Sequence, residues 1–335
     1  MHKMNQNSYK IAIDTMGSDK GPEVIVEGAV KALIKHPELQ VVLFGDSEII
    51  NRKLSELNCT PERAEVVHTT EVITNYDHPM EAIFKKTDSS MVRALTALAQ
   101  RDDLVGLINA SSTGALLAGS LRYVPAKNLT RPALAAILPA EAGGFTCLVD
   151  AGANIDCIPT QLVAFAHMGS DFMREYYGID APRVGLLSNG AEETKGNKLV
   201  KETHALLKAE DGINFVGNIE GTNALSGDCD VLVADGFAGN QVLKNSEGIA
   251  RRIITDIVKY AKANNNPEMM KLVSHLLGIY DFNSLGGGII LGVGKPIIKA
   301  HGNANSDSIV SVSSILLNMA KNNDIFRGAD IRRKV

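Results

Sequence analysis

Val231-Leu232-Val233-Ala234-Asp235-Gly236-Phe237-Ala238-Gly239-Asn240-Gln241-Val242-Leu243-Lys244 sets an apolar run against a polar glycine turn and then a helical pattern. The run reads as a buried strand and the turn as its exit, with a helix starting at once. N–H groups in the first turn of a helix lack intrahelical partners and carry partial positive charge, so this arrangement suits phosphate or carboxylate. The same grammar recurs. Asp14-Thr15-Met16-Gly17-Ser18-Asp19 follows Ile11-Ala12-Ile13, and Asn109-Ala110-Ser111-Ser112-Thr113-Gly114 follows Leu104-Val105-Gly106-Leu107-Ile108. Asp150-Ala151-Gly152-Ala153-Asn154 follows Leu148-Val149, and the polar stretch from Ser188 to Asn197 follows Val184-Gly185-Leu186-Leu187. A sheet whose strand ends all carry such turns has a polar crevice along one edge, where open α/β sheets bind ligands.

Working outward, strand-like runs occupy 10–13, 40–44, 64–67, 104–109, 133–138, 146–150, 183–187, 213–217, 230–234 and 296–300. Helical patterns begin after Pro22, Ser47, Pro79, Ser112, Pro159 and Thr194, residue types expected at helix starts. Such alternation predicts an α/β protein, a three-layer α/β/α architecture around a large, mostly parallel, mixed sheet. The mixed character comes from 133–150, where two runs are joined by a connection too short for a crossover helix and must form an antiparallel hairpin. The long helix after Gly236 breaks at Asn264-Asn265-Asn266-Pro267, and a second helical segment runs from Glu268 to about Leu277. The glycine-rich stretch 278–294 reads as a loop. No repeat or low-complexity linker marks a boundary, so 1–335 reads as one elaborated domain with a protruding helical segment at about 248–292.

The chain has 335 residues, 45% hydrophobic, enough to bury a large core without staples. Its net charge of −4, with basic residues scattered except in the tail Arg327 to Lys334, argues against nucleic acid as a partner. No tryptophan and only 5% aromatic residues argue against base-stacking or carbohydrate platforms. Cys59, Cys147, Cys157 and Cys229 show no paired or zinc spacing, which fits a reducing cytoplasm. The polar N-terminus lacks a signal core, and no run approaches the roughly 18 apolar residues of a membrane span. A soluble protein is expected, with surface attachment to a membrane left open.

The turns contain neither the Gly-x-Gly-x-x-Gly dinucleotide fingerprint nor a loop ending Gly-Lys-Ser/Thr, so nucleotide cofactors lose their main support. They offer small hydroxyls, amides and backbone donors instead, with Lys195 and Lys244 as the nearest cations for a phosphate dianion. Asp14, Asp150 and Asp235 each end a strand, where capping or hydrogen bonding competes with a role in proton transfer or cation binding. His301 follows another apolar run and could act as a general acid or electrostatic donor. His167 lies within an apolar helical pattern and reads as a satisfied core histidine. No Gly-x-Ser-x-Gly elbow, His-Glu-x-x-His pair or Cys/His nucleophile is present, which points to direct transfer without a covalent intermediate. Ser111, Ser112 and Thr113 read as phosphate-binding or capping hydroxyls.

Taken in order, these turns resemble one family, the bacterial phosphate acyltransferases of phospholipid synthesis (PlsX). The resemblance rests on 12–19, 112–116, 131–135, 150–154, 182–187, Glu193-Thr194-Lys195-Gly196-Asn197, 214–221, Asp235-Gly236-Phe237-Ala238-Gly239-Asn240 with Lys244 and Glu247-Gly248, and Ala300-His301-Gly302. The chain departs from the family pattern at Gly17-Ser18-Asp19, where Gly-Gly-Asp is usual. It departs again at Ser111-Ser112-Thr113-Gly114 and Ser188-Asn189-Gly190. The resemblance implies a fold like that of phosphotransacetylases and the isocitrate and isopropylmalate dehydrogenases. It also implies a homodimer, and transfer of a long-chain acyl group from acyl carrier protein to inorganic phosphate without metal, nucleotide or redox cofactor. The acyl phosphate would pass to a membrane glycerol-3-phosphate acyltransferase, from a cytoplasmic enzyme in peripheral contact with the membrane.

On this reading phosphate is held by Gly17, Ser112, Thr113, Gly114, Lys195, Gly239, Asn240 and Lys244, with His301, Lys244 and Asn154 as catalytic candidates and Asn189 as a further oxyanion donor. Arg251, Arg252, Lys259, Leu276 and Leu277, in the basic and apolar 248–292 region, are candidates for dimer, carrier or membrane contact. Competing readings are a short-chain phosphotransacetylase or an NAD(P)-dependent dehydrogenase on the same fold, and a noncatalytic membrane or carrier-protein adaptor.

Overall fold

The computed structural model describes residues 8–60, 62–126, 131–280 and 287–321. The basic tail Arg327 to Lys334 and the first seven residues lie outside them. In chain order the elements are β1 (Tyr9–Asp14), α1 (Pro22–Lys35), β2 (Leu39–Gly45), α2 (Ser47–Glu56), β3 (Ala64–His68), α3 (Pro79–Lys85), α4 (Ser90–Gln100), β4 (Leu104–Asn109), α5 (Thr113–Tyr123), β5 (Ala133–Pro139) and β6 (Phe145–Val149). They continue with α6 (Pro159–Tyr177), β7 (Arg183–Ser188), α7 (Lys198–Ala209), β8 (Asn214–Glu220), β9 (Val231–Val233), α8 (Gly236–Ala263), α9 (Pro267–Tyr280), β10 (Gly288–Leu291), β11 (Ile297–Lys299) and α10 (Ser306–Lys321). Contacts group them into two compact units, one made of 1–132 with 286–335 and the other of 133–285.

In the first unit the described strands run in the order β3, β2, β1, β4, β11, β10, all parallel except β10 against β11. Near-continuous burial along β2 and β4 requires helices on both faces, and apolar runs such as Val41-Val42-Leu43-Phe44 supply it. Helix α1 starts with Pro22 at its first position and buries Ile25, Val26, Ala29, Ala32 and Leu33. β10 falls where the sequence predicts a loop. Its glycine-rich run carries no strand period, and it is the antiparallel partner β11 that makes it a strand.

The second unit orders its described strands β5, β6, β9, β7, β8, with β5 and β6 antiparallel as the short 139–144 connection requires and the others parallel. Ala136, Leu138, Leu148, Leu232 and Ala234 pack in one cluster with Ile219 and Cys229. Helix α7 begins after Asn197, whose side chain accepts from Val200 N at 2.9 Å, not after Thr194. Lys195 therefore sits in a loop. Helix α8 ends at Ala263 and α9 begins at Pro267, where the sequence places the break.

Candidate active site

In the second unit β6, β9 and β7 end side by side, with Val149 opposite Val233 and Val233 opposite Leu186. The turns 150–154, 234–240 and 188–197 therefore leave one edge together. Asp150, fully buried, organises the first of them. It accepts from the N–H of Gly152 at 3.0 Å, Ala153 at 2.9 Å and Asn154 at 2.6 Å, and from Asn154 Nδ2 at 2.8 Å. Burial raises its carboxyl pKa, and these hydrogen bonds offset part of that shift. Asn154 thus spends one amide donor inside the chain.

The start of α8 docks onto that turn. Gly236 N donates to Asn154 O at 2.7 Å, and Ala238 N donates to the capping Asp235 carboxylate at 2.9 Å. Of the first three N–H groups of α8, only that of Phe237 has no partner among the described residues. This turn is largely a scaffold that positions side chains. A Cβ at Gly239 would lie 2.0 Å from Asp150 O, so only glycine lets α8 approach this closely. Asn240 lies against Gly152, its Nδ2 3.4 Å from where a Cβ there would stand. Two turns of α8 carry Lys244, whose Nζ sits 2.8 Å from Glu247 Oε2, the lysine side chain 54% exposed and the glutamate 10%.

The 188–197 loop places Lys195 differently. Asn189 Oδ1 accepts from Gly196 N at 2.8 Å and Lys195 N donates to Glu192 O at 3.0 Å, folding the loop back on itself. Lys195 is exposed and has no acidic partner among the described residues. The structure therefore gathers Asn154, Gly239, Asn240 and Lys244 on one helix and turn, with Lys195 on the turn of the neighbouring strand. Of the two lysines, Lys195 is the cation not already engaged by a carboxylate.

In the first unit β1, β4 and β11 end together, Ile13 opposite Ile108 and Asn109 opposite Lys299. Asp14 is 1% exposed and accepts from Asn109 Nδ2 at 2.6 Å and Met16 N at 3.0 Å. Asn109 Oδ1 in turn accepts from Ser111 N at 2.9 Å and Ser111 Oγ at 3.0 Å. Burial pushes the Asp14 carboxyl up to about 7, against hydrogen bonds from Ser90 and Met16. This chain of bonds sets the entry to α5, where Ser112 makes no side-chain cap bond. The first N–H groups of α5, from Thr113, Gly114 and Ala115, have no partner among the described residues. The anion grammar read from 231–244 is thus better met by α5 than by α8. Gly17, at φ 76°, lies against Ser111, where a Cβ would come within 2.4 Å of the serine Cβ.

His301 stands on the turn after β11. The neighbouring Gly302 O accepts from Asp19 N at 2.8 Å and from Ser18 Oγ at 3.2 Å. Ser18, a departure from the family pattern, thereby adds a tie to the histidine's turn. His167 is not a core residue. Its side chain is 32% exposed, with Nε2 2.8 Å from Glu210 Oε1. Cys147 and Cys229 are buried thiols pushed up to about 12, far from the thiolate a nucleophile needs.

Sequence reading quotes Asn109, Asn218 and Glu247 within its motifs but gives them no role, and it does not find His204. His204 and Asn218 meet across two elements, and Asn109 reaches Asp14 on another strand, so no local spacing couples these pairs. On α8 and α9, Arg251, Arg252 and Lys259 are exposed, Leu277 is exposed and Leu276 half-buried, beside the exposed Ile249, Ile253, Tyr260 and Leu272. No helix among the described residues is long and apolar enough to cross a membrane.

A family model described as "Fatty acid synthesis protein" matches residues 9–326. A phosphate acyltransferase of Clostridium botulinum is 43% identical over 303 residues, covering 88% of this chain and 90% of its own. Another, from Caldanaerobacter subterraneus, is 40% identical with 95% of each chain covered. Among solved structures, a phosphotransacetylase from Streptococcus pyogenes aligns over 94% of this chain and 95% of its own, at a TM-score of 0.65 and 17% identity. A branched-chain phosphotransacylase from Enterococcus faecalis aligns over 92% and 99%, at a TM-score of 0.57 and 17% identity. Those two likenesses establish the fold, and the sequence matches establish the enzyme class. The chain belongs to the phosphate acyltransferase (PlsX) family and is an enzyme of that class.

Proposed function

We propose that the enzyme moves a long-chain fatty acyl group from the thioester of acyl carrier protein to inorganic phosphate, giving acyl phosphate for phospholipid synthesis. The observation that supports this most directly is Lys195, an exposed cation with no carboxylate partner among the described residues, on a loop leaving the same sheet edge as the Asn240 turn. Phosphate carries its own nucleophilic oxygen near neutral pH, so positioning contributes more than deprotonation. Lys195 supplies the charge, Asn240 and the Phe237 N–H supply donors, and Lys244 joins them when it leaves Glu247. A phosphate oxygen attacks the thioester carbonyl carbon, forming the C–O bond. The tetrahedral oxyanion takes a hydrogen bond from Asn189 Nδ2, which has no partner among the described residues. The C–S bond then breaks. The thiolate, with a pKa of roughly 8.5, leaves with little acid assistance and takes its proton from solvent.

On the first unit, Gly17, Ser112, Thr113, Gly114 and His301 are proposed as substrate contacts, with the open N-terminus of α5 as the supporting feature. Asn154 and Gly239 are proposed to hold the turn. The exposed basic and apolar residues of α8 and α9, including Arg251, Arg252, Lys259, Leu276 and Leu277, support a proposed contact with a second copy, the acidic carrier or the membrane where the acyl phosphate is consumed by a glycerol-3-phosphate acyltransferase. Incubation with long-chain acyl carrier protein and phosphate, followed by hydroxylamine trapping, is the test. Phosphate-dependent acyl hydroxamate is expected. Hydroxamate from acetyl-CoA alone would assign the enzyme a short-chain donor instead.

A further inference from the structure

The geometry points to His204 and Asn218 as positioning residues that fix the loop displaying Lys195. Both are buried, each 6% exposed, on elements flanking the loop: His204 on α7 and Asn218 on β8. Asn218 Nδ2 donates to Glu192 O at 2.9 Å, and that same carbonyl accepts from Lys195 N at 3.0 Å. One main-chain oxygen is thus held from both sides, by the sheet and by the lysine's own backbone. Because the Asn218 amide turns its nitrogen toward the loop, its Oδ1 faces His204 Nδ1, 3.0 Å away. The imidazole must then carry its proton on Nδ1. Phe215 packs edge-on against the ring at 5.0 Å between centroids and fixes its plane.

The loop needs such fixing. Glu192, Glu193, Thr194 and Lys195 are all exposed, so apolar burial cannot hold them. Polar pins do this work: Asn218 on Glu192 O, Asn189 on Gly196 N, and the Lys208–Glu193 pair at 2.6 Å. The Lys195 stem crosses Gly190, where a Cβ would meet its Cγ at 2.6 Å, so a shift of the 192–195 backbone moves the ammonium group. A buried histidine and asparagine on the two elements that follow the loop therefore set where its charge stands.

The inference rests on the reading of Lys195 as a phosphate ligand, and a double-mutant cycle separates the two. Asn218→Asp keeps the shape and replaces the donor with an acceptor facing Glu192 O. Losing one such bond is expected to raise the phosphate KM about tenfold. The KM for acyl carrier substrate should change little, while the buried carboxylate facing Glu192 O should lower the melting temperature. His204→Phe should act in the same direction, and His204→Asn, which restores a donor near the Nδ1 position, should recover most of the loss. In a Lys195→Ala background Asn218→Asp should add nothing. Wild-type phosphate KM in Lys195→Ala alone overturns the phosphate role of Lys195. Impaired Lys195→Ala with an unchanged Asn218→Asp, or with a full additional loss in the double variant, overturns the positioning role. If Asn218→Asp does not fold, amide exchange in His204→Phe decides: faster exchange at the Lys195 N–H supports the role, and unchanged protection overturns it.

Discussion

Asp14→Asn tests the buried network of the first unit through the pH dependence of stability. Asp14 has an ordinary carboxyl value of 3.8 in the unfolded chain and about 7 in the fold, raised chiefly by burial. Between those values the native state holds a proton that the unfolded state has released, so stability falls as pH rises. The contribution is complete below about pH 3.8 and is lost as pH climbs through about 7. A shift of about three units, at 1.36 kcal/mol each, makes the loss on the order of 4 kcal/mol. Asparagine cannot ionise, so its variant lacks this slope. It carries a fixed cost instead, because the aspartate accepts from both Asn109 Nδ2 and Met16 N and the amide offers only one acceptor oxygen. That cost is about 1–2 kcal/mol at every pH. Urea unfolding of both proteins from pH 4 to pH 8 should therefore show the wild type more stable at the acid end and the two about equal near pH 5. Its advantage should shrink and reverse by pH 8. The paired variant Asp14→Asn with Asn109→Asp would restore the bond between the two side chains with donor and acceptor exchanged. A stability difference that stays flat across this range would refute the buried, neutral Asp14.

Lys244→Ala should raise the phosphate KM less than Lys195→Ala, because its ammonium group is already paired with Glu247; steady-state kinetics at saturating acyl donor make the comparison. Gly239→Ala, whose Cβ would stand 2.0 Å from Asp150 O, should cost about 1–3 kcal/mol and most of the activity, read by thermal unfolding and turnover. Acidic substitutions at Leu276 and Leu277 should abolish flotation with anionic vesicles while leaving turnover of soluble substrate intact. Undiminished flotation removes these two residues from any membrane contact.

Much of the fold was legible because burial writes a period into the chain. Runs such as Val41 to Phe44 between amphipathic helices announce parallel strands covered on both faces, and the short 139–144 connection forces the β5–β6 hairpin. β10 was not legible, since Gly288-Ile289-Ile290-Leu291 is a strand only by pairing with β11. The start of α7 was misplaced by three residues because Thr194 and Asn197 are both plausible caps, and only the bond to Val200 N chooses between them. The turns themselves were visible as composition. What they do with their N–H groups was not: the start of α8 spends two of its first three on its own scaffold, and α5 leaves its own open. Long-range pins such as Asn218 on Glu192 O are contacts between elements and leave no local signal.

Phosphorus NMR of the enzyme with long-chain acyl carrier protein and inorganic phosphate follows the acyl transfer itself. A new acyl phosphate resonance is expected, growing in step with release of the carrier thiol and absent without phosphate. Thiol release with no acyl phosphate, or acyl phosphate formed at the wild-type rate and phosphate dependence by Lys195→Ala, would contradict the proposed function.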